Sequence, residues 1–222
     1  MEGRERISVQ EAKALQVEWA GRVEERPLGV EVRLVGGADV SFSGDDKFCV
    51  AAIMVFSWPE LELMETAEAI EPVRFGYVPG LLSFREAPAI LAAARKLKRK
   101  PDVLLIDGQG RAHPRRFGLA CHVGVELDWP SIGCAKSRLI GEYGQVGQRK
   151  GCRRQLKDKG EVVGMVVRSR EKVKCLYVSV GHKVELREAV KLVLGCCRRY
   201  RQPEPTRRAH QLVSRLRGQG RG

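Results

Sequence analysis

The chain of 222 residues has the size of one domain, and a hydrophobic content of 43% is enough to form a core. It contains no run of eighteen apolar residues and no apolar segment near its N-terminus, so we expect neither a transmembrane helix nor a secretion signal. The formal net charge of +13 is uneven, since residues 1–100 carry 14 basic and 16 acidic groups and residues 101–222 carry 26 and 11. A basic half of this kind suggests a polyanionic partner, although a basic surface can also serve solubility alone.

Seven cysteines are spread along the chain without any CxxC pair, which disfavours a zinc ribbon or a thioredoxin-type redox site. Several of them lie within apolar runs, where cysteine acts as a small hydrophobic residue. We therefore expect reduced thiols and a cytoplasmic location.

The N-terminal part predicts a helix followed by an antiparallel meander. The helix starts at a capping box formed by Ser8 and Glu11, and apolar residues then recur at helical spacing towards Pro27. Three strands, the first two joined by a hairpin turn, are predicted at residues 33–42, 48–58 and 61–70. A glycine-containing loop at 76–80 follows them.

After this loop, helices and strands alternate. A helix begins near Phe84 and ends in a basic stretch before Pro101, and the apolar run that ends at Asp107 is typical of a buried parallel strand. Further strands are predicted at residues 131–135, 162–168 and 176–180, and further helices at residues 116–126, 186–197 and 204–216. The pattern predicts one α/β domain over residues 1–216, with a mixed sheet and an antiparallel meander flanked by helices, and a basic flexible tail at 217–222.

Three acidic residues have positions suited to holding a cation. Asp39 lies in an otherwise apolar strand, and Asp107 ends the apolar strand before a Gly-rich loop. A buried carboxylate is unfavourable unless it is paired or binds a cation, and two of them on neighbouring strands suit Mg²⁺. Glu86, near a helix start, would complete a cluster for phosphodiester hydrolysis. The ordinary alternatives are a turn-forming Asp107, a solvent-facing Asp39 and a Glu86 that complements the helix dipole.

Two further residues are candidates for the site only if such an acidic cluster is present. Lys136 directly follows an apolar strand, from which its ammonium group could stabilise charge on a phosphoryl group. His210 lies on the last predicted helix beside two arginines, where a histidine is usually a surface residue.

Six segments resemble the endonuclease V family, which nicks nucleic acid next to deaminated adenine. They are GGADVSF (36–42), YVPGLLSFRE (77–86), DVLLIDGQGRAHPRRFGLACHVGV (102–125), PSIGCAKSRL (130–139), LYVSVGHKVELREAV (176–190) and PEPTRRAH (203–210). The segments occur in the family's order and are spread over most of the chain, from residue 36 to residue 210, so their combination is specific although no single segment is.

The resemblance implies a ribonuclease H-like fold and hydrolysis that depends on Mg²⁺, or on Mn²⁺ as a substitute. It implies that the substrate is DNA containing deoxyinosine, cut at the second phosphodiester bond 3′ to the inosine to leave a 5′-phosphate and to initiate repair. It places the metal-binding acids at Asp39, Glu86 and Asp107, the supporting basic residue at Lys136 and a histidine near the metal at His210.

The resemblance also implies that Tyr77, Val78 and Pro79 form a wedge that separates strands. An enzyme that inspects a base within a duplex must take the base out of the stack and fill the gap, which suits an aromatic ring on a stiff loop. The alternative is a Tyr77 that packs on a neighbouring loop. Three positions depart from the family pattern, namely Gly76, Gln109 and Val180, and Gly76 is expected to loosen the loop.

Recognition of hypoxanthine requires one hydrogen-bond donor and one acceptor. The resemblance points to backbone groups of Gly80, Leu82 and Gly108 for these contacts, and His113 and His182 also match family positions. Charge and position make three arginines candidates for phosphate contacts, namely Arg115, Arg116 and Arg138.

Three alternatives remain open for the substrate and the activity. Inosine-containing RNA is one, because no residue in the sequence indicates how a 2′-hydroxyl would be read. A ribonuclease H-like nuclease for branched structures and a non-catalytic nucleic-acid binder are the others. The set of acids argues against a pure binder, since binding alone needs no carboxylates in a basic site. We expect a monomer.

Overall fold

The computed structural model describes residues 7–219, in which five helices and eight strands are present. The helices are α1 (Val9–Ala20), α2 (Ser83–Ala94), α3 (Leu119–Leu127), α4 (Leu186–Cys196) and α5 (Glu204–Gln219). The strands are β1 (Leu34–Phe42), β2 (Phe48–Ser57), β3 (Leu63–Pro72), β4 (Val103–Ile106), β5 (Ser131–Ala135), β6 (Arg153–Asp158), β7 (Glu161–Val167) and β8 (Leu176–His182). Within the described residues, no helix has both the length and the apolar character needed to cross a membrane.

All eight strands belong to one mixed sheet, in the order β3-β2-β1-β4-β5-β8-β7-β6. The strands β1, β2 and β3 form an antiparallel meander, and β4 and β5 continue the sheet parallel to β1. The remaining strands β8, β7 and β6 are antiparallel to their neighbours. The predicted α/β fold, a meander joined to helix-flanked strands, is confirmed.

The apolar strand β4 shows how helices cover both faces of this sheet. Leu104 and Ile106 pack in a cluster with residues of α2 and α3, whereas Val103 and Leu105 pack in a cluster with residues of α4 and α5. All four side chains are buried, as an interior parallel strand requires. The carboxyl ends of β1 and β4 therefore emerge from a rigid, dry core.

Some predicted boundaries are wrong. Residues 116–118 are not helical, because Arg116 has a φ of 57° and Gly118 is the N-cap of α3. The predicted helix before Pro101 ends at Ala94. The helix α5 continues to Gln219, so the first three residues of the predicted tail are helical, and residues 220–222 lie outside the described residues.

The strand β6 was not predicted. Its sequence, RRQLKD, contains a single buried residue, Leu156, because β6 is the last strand at one edge of the sheet. An edge strand exposed to solvent lacks the apolar alternation on which a strand prediction depends.

Candidate active site

Asp39 and Asp107 are neighbours because β1 and β4 are parallel and in register. Ala38 is paired with Ile106 in this ladder, so the next residue along each strand is an aspartate. The amide of Asp107 donates a hydrogen bond of 3.2 Å to the carbonyl of Ala38, which extends the pairing past the end of β4. The two carboxylates thus come together through strand register.

His210 reaches the same point from α5, which packs directly on β1. A Cβ atom at Gly37 would lie 2.1 Å from the backbone of Pro205, so this close approach requires glycine. The Nδ1 atom of His210 lies 2.6 Å from Oδ2 of Asp39. One ligand atom from each of Asp39, Asp107 and His210 lies within 4.8 Å of the others. Two carboxylates and an imidazole are a suitable ligand set for a divalent cation.

Glu86 enters this site from the first turn of α2. Burial and the negative charges of Asp39 and Asp107 raise the pKa of Glu86 to about 7. Burial and the charge of Asp107 raise the pKa of Asp39 to about 6, although its contact with His210 opposes the shift. Glu86 lies outside the group of three ligand atoms, but it belongs to the same concentration of negative charge, which a cation would relieve.

Lys136 places a positive charge beside the acids. Its Nζ atom forms an ion pair with Oδ2 of Asp107. The turn that carries Lys136 is held by Arg201, whose Nη2 atom donates hydrogen bonds to the carbonyls of Lys136 and Cys175 at 2.5 and 2.7 Å. Lys136 is therefore fixed at the end of β5, as its sequence position suggested, by an arginine that the sequence did not single out.

A cavity of about 340 Å³ opens beside these charged groups. Asp107, Glu86 and Lys136 line it, together with the three residues expected to contact the base, namely Gly80, Leu82 and Gly108. Its volume lies at the lower end of the range for small-molecule sites. Three of the expected catalytic residues and the three residues expected to contact the base therefore line one cavity.

Tyr77 lies on the loop between β3 and α2 and is 70% exposed. It does not pack on a neighbouring loop, which was the alternative to a wedge. Pro79 is also exposed, whereas Val78 is partly buried against Phe75 and Leu81. The loop thus has a buried base and an exposed aromatic tip.

The loop is anchored at Gly80, which has a φ of 77°. The carbonyl of Gly80 accepts hydrogen bonds from Nη2 of Arg115 at 2.6 Å and from Nε2 of His113 at 3.0 Å. Burial lowers the pKa of His113 to about 4, and its Nδ1 atom accepts from the Arg115 amide at 3.2 Å, so Nε2 carries the proton. Nε of Arg115 also donates to the buried side chain of Gln16 on α1 at 2.5 Å.

The comparisons with known proteins agree with this geometry. A family model described as Endonuclease V matches residues 17–211. A protein named endonuclease V from Rippkaea orientalis is 49% identical over 207 residues, which are 93% of this chain and 90% of that protein. The crystal structure of endonuclease V from Streptomyces avermitilis superposes with a TM-score of 0.92 at 39% identity, over 97% of this chain and 95% of that one. The chain belongs to the endonuclease V family.

A further relative was crystallised with nucleic acid. Endonuclease V from Ciona intestinalis, with a TM-score of 0.82 and 28% identity over 96% of this chain and 99% of that one, is in complex with a 23mer DNA containing an inosine followed by a ribo-adenosine. Family membership over nearly the whole chain makes this protein an endonuclease.

Among the expected site residues that do not line the cavity, Arg116 and His182 are engaged elsewhere in the fold. Arg116 forms ion pairs with Asp158 at 2.8 Å and with Glu161 at 2.6 Å. His182 is buried, lies 3.4 Å from Asp128 and accepts a hydrogen bond from the Glu24 amide at its Nδ1 atom. Both residues connect elements of the fold. Arg115 acts chiefly in the anchor at Gly80, and Arg138 alone of the three arginines lines the cavity.

Four residues around the site were not among the site residues predicted from the sequence. Gln16 accepts a hydrogen bond from Arg115, which anchors the loop of Tyr77. Arg201 donates a hydrogen bond to the carbonyl of Lys136 and so holds its turn. Ser83 and Gln109 line the cavity, and Nε2 of Gln109 donates to the carbonyl of Ser137 at 2.9 Å. Only Gln109 could have been found in the sequence, as a departure from the family pattern.

Proposed function

We propose that this endonuclease recognises inosine in DNA and, with a divalent cation, hydrolyses the second phosphodiester bond 3′ to the inosine, which initiates repair. The observation that carries the proposal is the position of Asp107, which belongs both to the group of three ligand atoms and to the wall of the cavity. Chemistry and base binding are thereby adjacent. The inosine-containing DNA bound to the Ciona relative supports the choice of substrate.

The residues present fit a hard divalent cation, which Asp39, Asp107 and His210 would hold. When bound, Mg²⁺ or Mn²⁺ would supply positive charge at the phosphate and make a water molecule more acidic. Glu86 faces the cavity, where its carboxylate can accept a hydrogen bond from the attacking water. Lys136 stabilises the negative charge that develops on the phosphate oxygens.

Hydrolysis by these residues forms a bond between the water oxygen and phosphorus and breaks the bond from phosphorus to the 3′-oxygen. The leaving oxygen gains a proton, so the products are a 3′-hydroxyl and a 5′-phosphate. Tyr77 occupies the space that the target base leaves in the stack, and the base enters the cavity. There, backbone groups near Gly80, Leu82 and Gly108 supply the donor and the acceptor that hypoxanthine requires.

We also propose that the enzyme acts as a monomer in the cytoplasm. All seven cysteines are free, and five of them are buried within the core. Free thiols throughout a chain are typical of a reducing compartment.

The proposal is tested by mapping the product of an end-labelled strand that contains one deoxyinosine. A strand with deoxyadenosine at the same position is the control, and each is incubated with Mg²⁺ or with a chelator. We expect one nick at the second bond 3′ to the inosine, only on the inosine strand and only with the metal. Equal cutting of both strands, or cutting in the presence of chelator, would refute it.

Inosine-containing RNA is a second candidate substrate. It is favoured by one observation, since the DNA bound to the Ciona relative carries a ribose on the nucleotide after the inosine. The same assay with a riboinosine strand distinguishes the candidates, because the preferred substrate will be cut faster at equal enzyme concentration. A preference for branched strands that lack inosine would instead indicate another ribonuclease H-like nuclease.

A further inference from the structure

A second cavity, of about 1080 Å³, lies on the surface next to the catalytic cavity. Its walls are the loop 138–144 after β5 and the hairpin of β6 and β7, and we call it the basic groove. Its lining includes two acids, Glu142 and Asp158, and five basic residues, namely Arg138, Arg153, Arg154, Lys157 and Lys159. The groove therefore carries an excess of positive charge.

The groove is held open by the backbone. Glu142 and Lys157 exchange two backbone hydrogen bonds of 2.7 and 2.9 Å, which fix the loop against β6. Gly141 has a φ of 79°, and a Cβ atom there would lie 2.8 Å from the Lys157 carbonyl. The hairpin turns at Lys159 and Gly160, which both have positive φ, as a tight two-residue turn requires. Backbone geometry therefore fixes the walls of the groove.

The positive charges of the groove are available for a ligand. Asp158 is already paired with Arg116 at 2.8 Å, so it does not neutralise the groove. Within residues 7–219, none of the five basic residues of the groove forms an ion pair with an acidic side chain. Arg153, Arg154 and Lys157 are exposed along β6, which spans roughly 16 Å at the usual rise of a strand.

Arg138 connects the groove with the catalytic site, since it lines both cavities. Its guanidinium carbon lies 5.8 Å from the ring centroid of Tyr143, a partly exposed residue in the wall of the groove. The hydroxyl of Tyr143 lies 2.9 Å from that of Tyr177, which fixes the ring. A basic channel with a fixed aromatic ring is the arrangement that binds a single strand without reading its sequence.

We propose that the basic groove binds the backbone of the cleaved strand beyond the catalytic cavity. Arg153, Arg154 and Lys157 contact its phosphates, and Tyr143 offers a surface on which a base can stack. The proposal rests on the proposed function only in taking a nucleic-acid strand as the substrate. It makes the groove a source of affinity that is independent of inosine.

The test compares the double variant Arg153→Gln/Arg154→Gln with a control, Arg187→Gln/Lys191→Gln, which removes two exposed charges on α4. Binding of inosine-containing and inosine-free single strands is measured against salt concentration, with chelator to prevent cleavage. We expect the groove variant to bind both strands on the order of tenfold more weakly at low salt and to have a log–log salt slope smaller by about 1.4, as two lost contacts imply. The control variant should bind both strands as wild type does. The groove variant should keep the wild-type single-turnover cleavage rate when the enzyme is saturating, because saturation overcomes the weaker binding.

Strand length locates the contact. Two shortened strands are compared, one that ends close to the inosine on its 5′ side and one that ends close to it on its 3′ side. We expect one of the two to bind wild type and groove variant with equal affinity. Unchanged binding by the variant would overturn the proposal and leave the charges a role in protecting the edge strand. A reduced saturating cleavage rate, or a difference that persists on both shortened strands, would also overturn it. The two proposals can fail separately. If the proposed function is wrong, wild type will show no inosine-dependent cut, and the comparison of wild type with the groove variant on inosine-free strands still tests the groove.

Discussion

Asp39 and Glu86 are carboxyl groups held in the protein at a cost to its stability. Their pKa values of about 6 and about 7 in the folded protein exceed the ordinary values, so the folded state keeps protons that the unfolded chain has already lost between roughly pH 4 and 7. Stability must therefore fall as the pH rises through this range, and the contribution of these protons is fully lost above pH 7. A cation at the site replaces the protons.

This linkage predicts the thermal behaviour of the metal-free protein. We expect the Tm to fall by a few degrees between pH 5 and pH 8, and Mg²⁺ to raise the Tm more at pH 8 than at pH 5. The variant Asp39→Asn should lose most of the effect of Mg²⁺ but only part of the effect of pH, because burial keeps the pKa of Glu86 raised. Differential scanning calorimetry with and without chelator can measure both effects. A wild-type Tm that Mg²⁺ leaves unchanged at pH 8 would contradict this account of the acids.

Single residues differ in how far the sequence revealed them. Asp39 and Asp107 could be predicted, because a carboxylate within or at the end of an apolar strand needs a partner. Arg116 and His182 do not line the cavity, and residue type and loop position do not reveal that Arg116 is engaged by Asp158 and Glu161. Ion pairs between distant segments follow from the tertiary structure only.

Among the elements, the loop that carries Tyr77 combines an exposed tip with a fixed base. The fixed base depends on the charge-assisted hydrogen bond from Arg115 to the Gly80 carbonyl, at 2.6 Å. Such bonds contribute about 1.5–3 kcal/mol, which is enough to hold a short loop in one conformation.

We expect Arg115→Ala to raise the KM for an inosine-containing duplex about tenfold, because the loop must then be ordered upon binding. Tyr77→Ala should have a similar effect, and the double variant should lose less than the product of the two. The control is Arg111→Ala, since Arg111 pairs with Glu25 and Glu161 instead. Steady-state kinetics measures the KM of the three variants. If the increase in KM of the double variant equals the product of the two single increases, Arg115 does not act through the loop.

Elements with a clear apolar pattern were predicted better than the exposed edge strand β6. The strand β4 was recognised from its unbroken apolar run, and α4 and α5 from their periodicity. The strand β6 was missed because its exposed charges obscure the pattern. The start of α3 was predicted too early. Arg116 has a positive φ and is therefore not helical, and its residue type does not indicate this conformation. The basic groove was therefore invisible in the sequence.

For the whole molecule, the uneven charge noted in the sequence has a structural counterpart. The sheet ends in β3, whose charged residues are glutamates, on one side and in β6, which carries two arginines and a lysine, on the other. We expect attraction of a polyanion to be stronger on the β6 side, in agreement with the proposed role of the basic groove. The active site lies between the two edges, at the ends of β1 and β4.

One chain supplies the three ligand atoms, the cavity and the wedge, so a single copy should be sufficient for activity. We expect light scattering to give a mass near 24.8 kDa for the free protein, and cleavage rate to rise linearly with enzyme concentration. A mass of twice this value, with activity that rises as the square of concentration, would contradict the proposed monomer.

Asp107 joins the proposed cation site to the proposed base cavity. The most direct measurement is the cleavage rate and the affinity of Asp107→Asn on one inosine-containing strand, with Asp128→Asn, an exposed acid outside the cavity, as the control. We expect Asp107→Asn to bind the strand within a few-fold of wild type. It should cleave the strand on the order of a thousandfold more slowly, because the substitution removes a group that acts in the transition state. Cleavage by Asp107→Asn at the wild-type rate would contradict this expectation.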